Sequence, residues 1–257
     1  MKAIEREIYS PPEVLQHKPI ETQRNTAILV GVLFIIGTLA GVLSVLFTKP
    51  IFDDPDYLVR VSTDGNPIII GSLLVLIMGL SLAFVPVVMF PVFKHYNEVL
   101  ALGYVVFRGA LEAVTYLVFV IGWLALPLIS QEFIKASATE ASFFQSLGDL
   151  VLEAHAQISH VLAIVFILGA LMFYYVLYQS KLVPRWLSGW GLLAAIPYFV
   201  SGVLGLFTLP GPMGTIPMVL VLPMAVQEMV LAIWLIVRGF NSSPVIFGSA
   251  KVAVSEV

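Results

Sequence analysis

Apolar residues along this chain neither alternate nor gather on one helical stripe; they continue in runs long enough to cross a bilayer. A membrane-spanning helix needs about 20 predominantly apolar residues at a rise of about 1.5 Å each. Runs of that kind fall at about 26–48, 67–92, 99–129, 145–179, 184–208 and 217–239. The pattern predicts an all-α polytopic membrane bundle of six transmembrane helices over residues 26–241. Residues 1–25 are polar, and Ser10-Pro11-Pro12-Glu13 reads as an N-cap followed by first-turn prolines and a capping-box acid. A short surface helix is expected there, and residues 242–257 are expected to form a tail. The first apolar run is long enough to span rather than to be cleaved, so no secretory signal peptide is expected.

Composition narrows the class. Hydrophobic residues make up 59% of the 257 and charged residues 11%, with a mean hydropathy of +0.98. A soluble domain carries roughly a quarter charged residues, so an ordinary soluble enzyme and a disordered chain are excluded. A net charge of −3 supplies no basic surface for nucleic acid. With no cysteine, disulfides, thiolate-bound zinc and iron–sulfur clusters are excluded as well. Composition names no cofactor and leaves the oligomeric state open.

Charge placement sets an expected orientation, because positive residues are retained on the cytoplasmic side. With six spans, Lys2, Arg6, Lys18, Arg24, Lys94, Lys181, Arg185, Arg238 and Lys251 share one side, against Lys49, Arg60 and Lys135 on the other. Both termini are therefore expected in the cytoplasm of a multi-pass protein of the cell membrane. The outward side also collects Asp53, Asp54, Asp56, Asp64, Glu132 and Glu140; the first three lack the alternating ligands of an EF-hand loop and read as a solvated acidic turn.

Trp123 falls near the outer end of span three, and Tyr174, Tyr175, Tyr178, Trp186 and Trp234 near inner ends, which predicts headgroup-level anchors. Gly37 and Gly41 form a GxxxG pair suited to close helix packing. Pro86, Pro197 and Pro223 lie inside spans and predict kinks.

The polar residues inside the runs carry the candidate chemistry. They are Arg108 and Glu112 in span three, Glu153 and His160 in span four, and Gln227 and Glu228 in span six. A charge near the bilayer centre costs roughly 2.5–3.5 kcal/mol on insertion scales, so these side chains are expected to face the bundle interior. Counting along the helical rise puts Arg108 about 14 Å and Glu112 about 20 Å from the inner face, and His160 about 15 Å and Glu228 about 16 Å from the outer face. In a core of about 30 Å these depths converge on one ligand or proton site of Arg108, Glu112, His160, Gln227 and Glu228. Tyr104, Arg108, Glu112 and Tyr116 share a helix face, so Arg108 should pair with Glu112. Glu228 is then expected to be neutral, paired with protonated His160, or neutralised by a bound cation or amine.

Asp149, Glu153, Gln157 and Tyr116 suggest a polar access route from the outer surface; the alternative is that Asp149 and Glu153 snorkel at its mouth. His155 and His160 are five apart, about 140° around the helix, and do not make the i, i+4 metal pair. No metal is assigned, although Glu112, His160 and Glu228 would offer mixed oxygen and nitrogen ligands. Phosphate loops, HExxH and the GxSxG nucleophile elbow are absent.

The run from Tyr174 through Tyr178, Lys181, Pro184, Arg185 and Trp186 to Trp190-Gly191, the segment from Leu102 through Tyr104 to Arg108 with Glu112, and Gln227-Glu228 together resemble the bacterial integral membrane family called domain of unknown function 4386. The resemblance covers about residues 26–241 and implies a six-helix bacterial membrane protein without supplying a function. Three functions fit the residues: binding or moving a small polar ligand or proton; an intramembrane enzyme using Glu and His as acid and base on a lipid-like substrate; or an accessory subunit whose polar network only holds the bundle together.

Overall fold

A computed structural model describes residues 20–207 and 215–241, with side chains over 23–207 and 219–241. Among these residues the secondary structure is helical throughout: α1 (Ile20–Phe52), α2 (Tyr57–Thr63), α3 (Asn66–Phe93), α4 (Glu98–Tyr104), a π-helical stretch (Val105–Leu111), α5 (Glu112–Lys135), α6 (Ala138–Ser180), α7 (Arg185–Phe207) and α8 (Thr215–Val237). The expected helix near Ser10 and the tail 242–257 lie outside the described residues.

Among the described residues, six helices are long and apolar enough to cross a membrane: Gln23–Phe52, Asn66–Phe93, Glu98–Lys135, Ala138–Ser180, Arg185–Phe207 and Val219–Val237. Each packs on its neighbour in sequence, and α8 packs back on α1, so the spans close into a ring. The face where α1 begins is called here the near face, and the opposite one the far face. Leu39, Leu73, Val114, Ile121, Leu193 and Ile233 point outward and exposed, the chemistry of a surface solvated by lipid hydrocarbon.

Spans three and four are longer than the hydropathy pattern predicts, with 38 and 43 residues, about 57 and 65 Å by the helical rise. Both overrun a hydrocarbon core of about 30 Å because their polar ends are still good helix. Ser137 and Glu140 form a capping box that starts α6 two residues after α5 ends. At the near face Asn97 caps α4 through Leu100 N–H at 3.0 Å, and Asn241 pins the α6–α7 turn by bonding the Lys181 carbonyl at 2.9 Å and that of Leu182 at 2.8 Å.

The acidic turn after α1 holds a helix that the alternation of Asp and Pro conceals. In α2, Tyr57, Leu58 and Val61 are buried, and Ser130 Oγ–H of α5 donates to the Leu58 carbonyl at 2.5 Å. A far-face core forms around them from Ile51, Ile68, Val75, Phe119, Trp123 and Leu126. The near-face core is larger and includes Phe34, Met89, Phe93, Tyr104, Phe173 and Leu231.

The GxxxG pair works inside the molecule. Gly37 and Gly41 let α1 close on α3, where a Cβ would stand 2.9 Å from Leu82 and 2.6 Å from Met78. Pro86, Pro197 and Pro223 all lie within continuous helices. Two expected belt residues are instead core: Trp123 is 6% exposed and Tyr174 1%, whereas Tyr175, Tyr178 and Trp186 are exposed. In a run apolar on every side, sequence does not tell the lipid-facing from the inward-facing aromatic.

Candidate functional site

Span three changes winding where the charge lies. Along an α-helix, residues four apart drift about 40° per step, which would carry Tyr104, Arg108 and Glu112 progressively off one face. Between Val105 and Leu111 the bonds run five residues back, as from Glu112 N–H to the Phe107 carbonyl. A π turn takes more residues than an α turn and so turns the drift back. Tyr104, Arg108 and Glu112 are all buried, at 1%, 2% and 1% exposure.

Arg108 is the hub. Its Nη2 donates to Glu228 Oε1 on α8 at 3.1 Å, and its Nε stands 3.4 Å from Glu112 Oε2. Phe166 of α6 lies under the guanidinium at 4.2 Å and Phe34 of α1 at 5.9 Å, within cation–π range. Gly169 of α6 permits this approach: a Cβ there would sit 3.1 Å from Arg108 Cβ. Spans one, three, four and six therefore all reach the same guanidinium.

The network is incompletely satisfied by the protein. Tyr116 O–H donates to Glu112 Oε1 at 3.3 Å, but Arg108 Nη1 and Glu112 Oε2 are buried without a hydrogen-bond partner; the Nε–Oε2 approach has ion-pair distance without hydrogen-bond alignment. Buried polar atoms of native proteins nearly always find partners. One cation also faces two carboxylates, of which Glu112 is sealed and Glu228 is 16% exposed. The site thus combines a fixed base, a buried acid and a second acid at its edge.

The expected pairing of Arg108 with Glu112 is present. Glu228, expected with His160 or a bound cation, is paired with Arg108. His160 packs on α7, its imidazole against Gly205 and its carbonyl beside Gly202; a depth counted along the helical rise does not specify which side of α6 a residue occupies. Gln227 is buried one position from Glu228, accepting from Tyr174 O–H at 2.5 Å and donating to the Leu187 carbonyl at 3.0 Å. It ties α8 to α6 and α7 and so fixes how Glu228 is presented. Among the described residues no three His, Asp or Glu side chains group as metal ligands.

Of the expected access stripe, Asp149 and Glu153 are exposed and Gln157 half-buried. Asp149 accepts from Tyr57 O–H at 2.9 Å and from Gln145 at 3.0 Å; burial and this bond to Asp149 push the Tyr57 hydroxyl well above the usual tyrosine range. Tyr116 reaches Glu112, at the inner end of that stripe. Sequence reasoning did not single out Phe166 or Phe34, because an apolar ring facing a charge reads like any other core residue, and it read Tyr174 as a headgroup anchor. The π-helical stretch gave no sequence signal.

These features define a class: a six-span helical membrane protein with an intramembrane Arg–Glu–Glu cluster at the centre of its helix ring. Residues 29–239 match the family described as Domain of unknown function (DUF4386), and the chain belongs to it. No curated protein and no solved structure matches the chain.

Proposed function

We propose that this protein binds, and passes across the bilayer, a proton or a small polar ligand at the Arg108–Glu112–Glu228 cluster. The supporting observation is the charge imbalance there: one guanidinium against two carboxylates, with Arg108 Nη1 and Glu112 Oε2 lacking a hydrogen-bond partner. Buried ions that lack compensation are expensive, and intramembrane ionisable groups mark ion and proton pathways. A proton accepted at the cluster offsets the excess negative charge, and a small polar ligand there supplies an acceptor for Nη1 and a donor for Oε2. Glu228, the more exposed acid, is the exchanging group; Arg108 holds it, and Gln227 sets its position.

The protein acts in this reading as a multi-pass protein of a bacterial cell membrane with both termini in the cytoplasm. Lys94, Lys181, Arg185 and Arg238 all cluster at near-face helix ends, as positive-inside retention requires.

One observation favours a second reading, an enzyme acting on a lipid-like molecule. A fully apolar groove between α6 and α7, lined by Ile167, Leu171, Ala195 and Phe199, begins one residue from Phe166, the ring beneath Arg108. An acyl chain in that groove would approach the cluster from the side.

The test uses purified protein in liposomes carrying an internal pH dye, with a valinomycin-driven potassium potential, alongside native mass spectrometry of the same preparation. Expected is proton entry well above protein-free liposomes, or a co-purified small molecule, lost in Glu228→Gln. A folded wild type that neither moves protons nor carries such a molecule overturns the proposal.

A further inference from the structure

We infer that the species passed is a proton and that His155 is the group that takes it from the far face toward Glu112. The inference rests on the proposed function of the Arg108 cluster and adds a residue that the access stripe did not contain.

The observation is local. On α5, Glu112, Tyr116, Phe119 and Trp123 follow one another at spacings of four, three and four and share a face. His155 of α6 lies against the outer part of that face. Its ring is 4.0 Å from Phe119 at 35°, and 4.7 Å from Trp123 in a stacked arrangement at 19°. Trp123 in turn meets Phe52 at 5.3 Å. The imidazole Nδ1 and the Trp123 Nε1 are both buried and have no hydrogen-bond partner. A histidine serving only to fill space would leave a polar nitrogen uncompensated in an aromatic box, where phenylalanine would fit at no such cost.

The nearest side chains to the ring are aromatic. No charged side chain of α5 faces the ring; Phe119 and Trp123 present π faces, which attract an imidazolium. The titratable groups on either side are Tyr57 of α2 with Asp149 of α6 toward the far face, and Tyr116 with Glu112 of α5 toward the interior. Glu153 of α6 is exposed at the same end.

The transfer balances simply. The imidazole of His155 accepts a proton relayed from the far face, where Tyr57 and Asp149 stand. Tyr116 already donates its O–H to Glu112 Oε1 at 3.3 Å, so the hydroxyl delivers its proton to Glu112 while receiving one from the imidazolium, whose ring lies against Phe119, three residues along α5 from Tyr116. His155 returns to neutral, the tyrosine keeps one proton, and the cluster gains one. Arg108 touches both carboxylates, so the gained charge is shared with Glu228.

The experiment compares proton entry in the same potassium-driven liposomes for wild type, His155→Phe, His155→Gln and His155→Ala. Thermal melting of each variant in detergent identifies those that fold. The folded variants should lose tenfold or more of the wild-type rate. In His155→Ala, external imidazole should restore the rate and toluene, of similar size and without a protonatable nitrogen, should not. Wild-type rates in any folded variant, or equal rescue by toluene, overturn the relay while leaving the role of the Arg108 cluster intact. A wild type that moves no protons but carries a ligand lost in Glu228→Gln also overturns the relay and leaves that role standing. Failure of both readouts removes the two together.

Discussion

The far and near halves of this molecule use the same ion pairs to opposite ends. On the far side, Lys49–Asp53 at 2.6 Å, Arg60–Asp54 at 3.3 Å and Lys135–Glu132 at 2.9 Å are all solvent-exposed. Such pairs typically contribute about 0–1 kcal/mol, because water screens them and holding two long side chains costs entropy. Toward the near side, Arg108 bridges Glu112 and Glu228 at similar distances, 2% exposed and ringed by Phe166 and Phe34. There the environment rather than the separation decides the energy. The far half is held by α2 and its apolar contacts, and its charges are incidental; the inner cluster is itself a fixed point of the packing.

Four substitutions sharpen or break that contrast. Arg108→Ala strands the buried carboxylate of Glu112 and the partly buried one of Glu228, and unfolding in detergent should report a loss of about 3–5 kcal/mol; a loss under about 1 kcal/mol would mean the cluster is no more than the surface pairs. Tyr174→Phe removes the donor to Gln227, and the same assay should show about 1–3 kcal/mol as the amide oxygen goes unpartnered. On the far side, Ser130→Ala cuts the tie from α5 to the Leu58 carbonyl and should cost about 0.5–1.5 kcal/mol. Lys49→Ala should stay within about 0.5 kcal/mol of wild type, and high salt should erase even that difference.

Much of this arrangement is legible in the sequence, and the reasons are specific. Six spans follow from the length of the apolar runs, since the bilayer leaves few alternatives to a helix. Arg108, Glu112 and Glu228 stand out because charge is rare in such runs and because a helical rise converts position into depth. Depth is only one coordinate, however. It assigns His160 a level and says nothing of which side of α6 the ring takes, where it faces Gly205. The spacing of His155 from His160 rules out a two-residue metal site, a test that says nothing about the aromatic faces of Phe119 and Trp123 across the helix interface.

Other features were hidden for reasons of their own. Helix α2 is too short and too interrupted by Asp to register as a hydrophobic period, and it exists because α5 receives it. The π-helical winding of Val105–Leu111 is chosen by tertiary contact: it keeps Tyr104, Arg108 and Glu112 inward together, and nothing in Val-Val-Phe-Arg-Gly-Ala-Leu demands it. Trp123 and Tyr174 looked like interface anchors because amphipathic rings near span ends usually are; both instead have partners across the bundle.

The central claim is that Glu228 gains and loses a proton, or exchanges a small ligand in its place, while Arg108 holds it, and infrared difference spectroscopy tests it directly. Wild type and Glu228→Gln, in lipid, are cycled between acidic and alkaline buffer, and the carbonyl band of a protonated buried carboxyl is followed. The account predicts a reversible band in wild type that is missing in Glu228→Gln, with the two proteins melting at similar temperatures. Identical difference spectra from the two would contradict it, and would leave the cluster as a structural bridge between span three and span six.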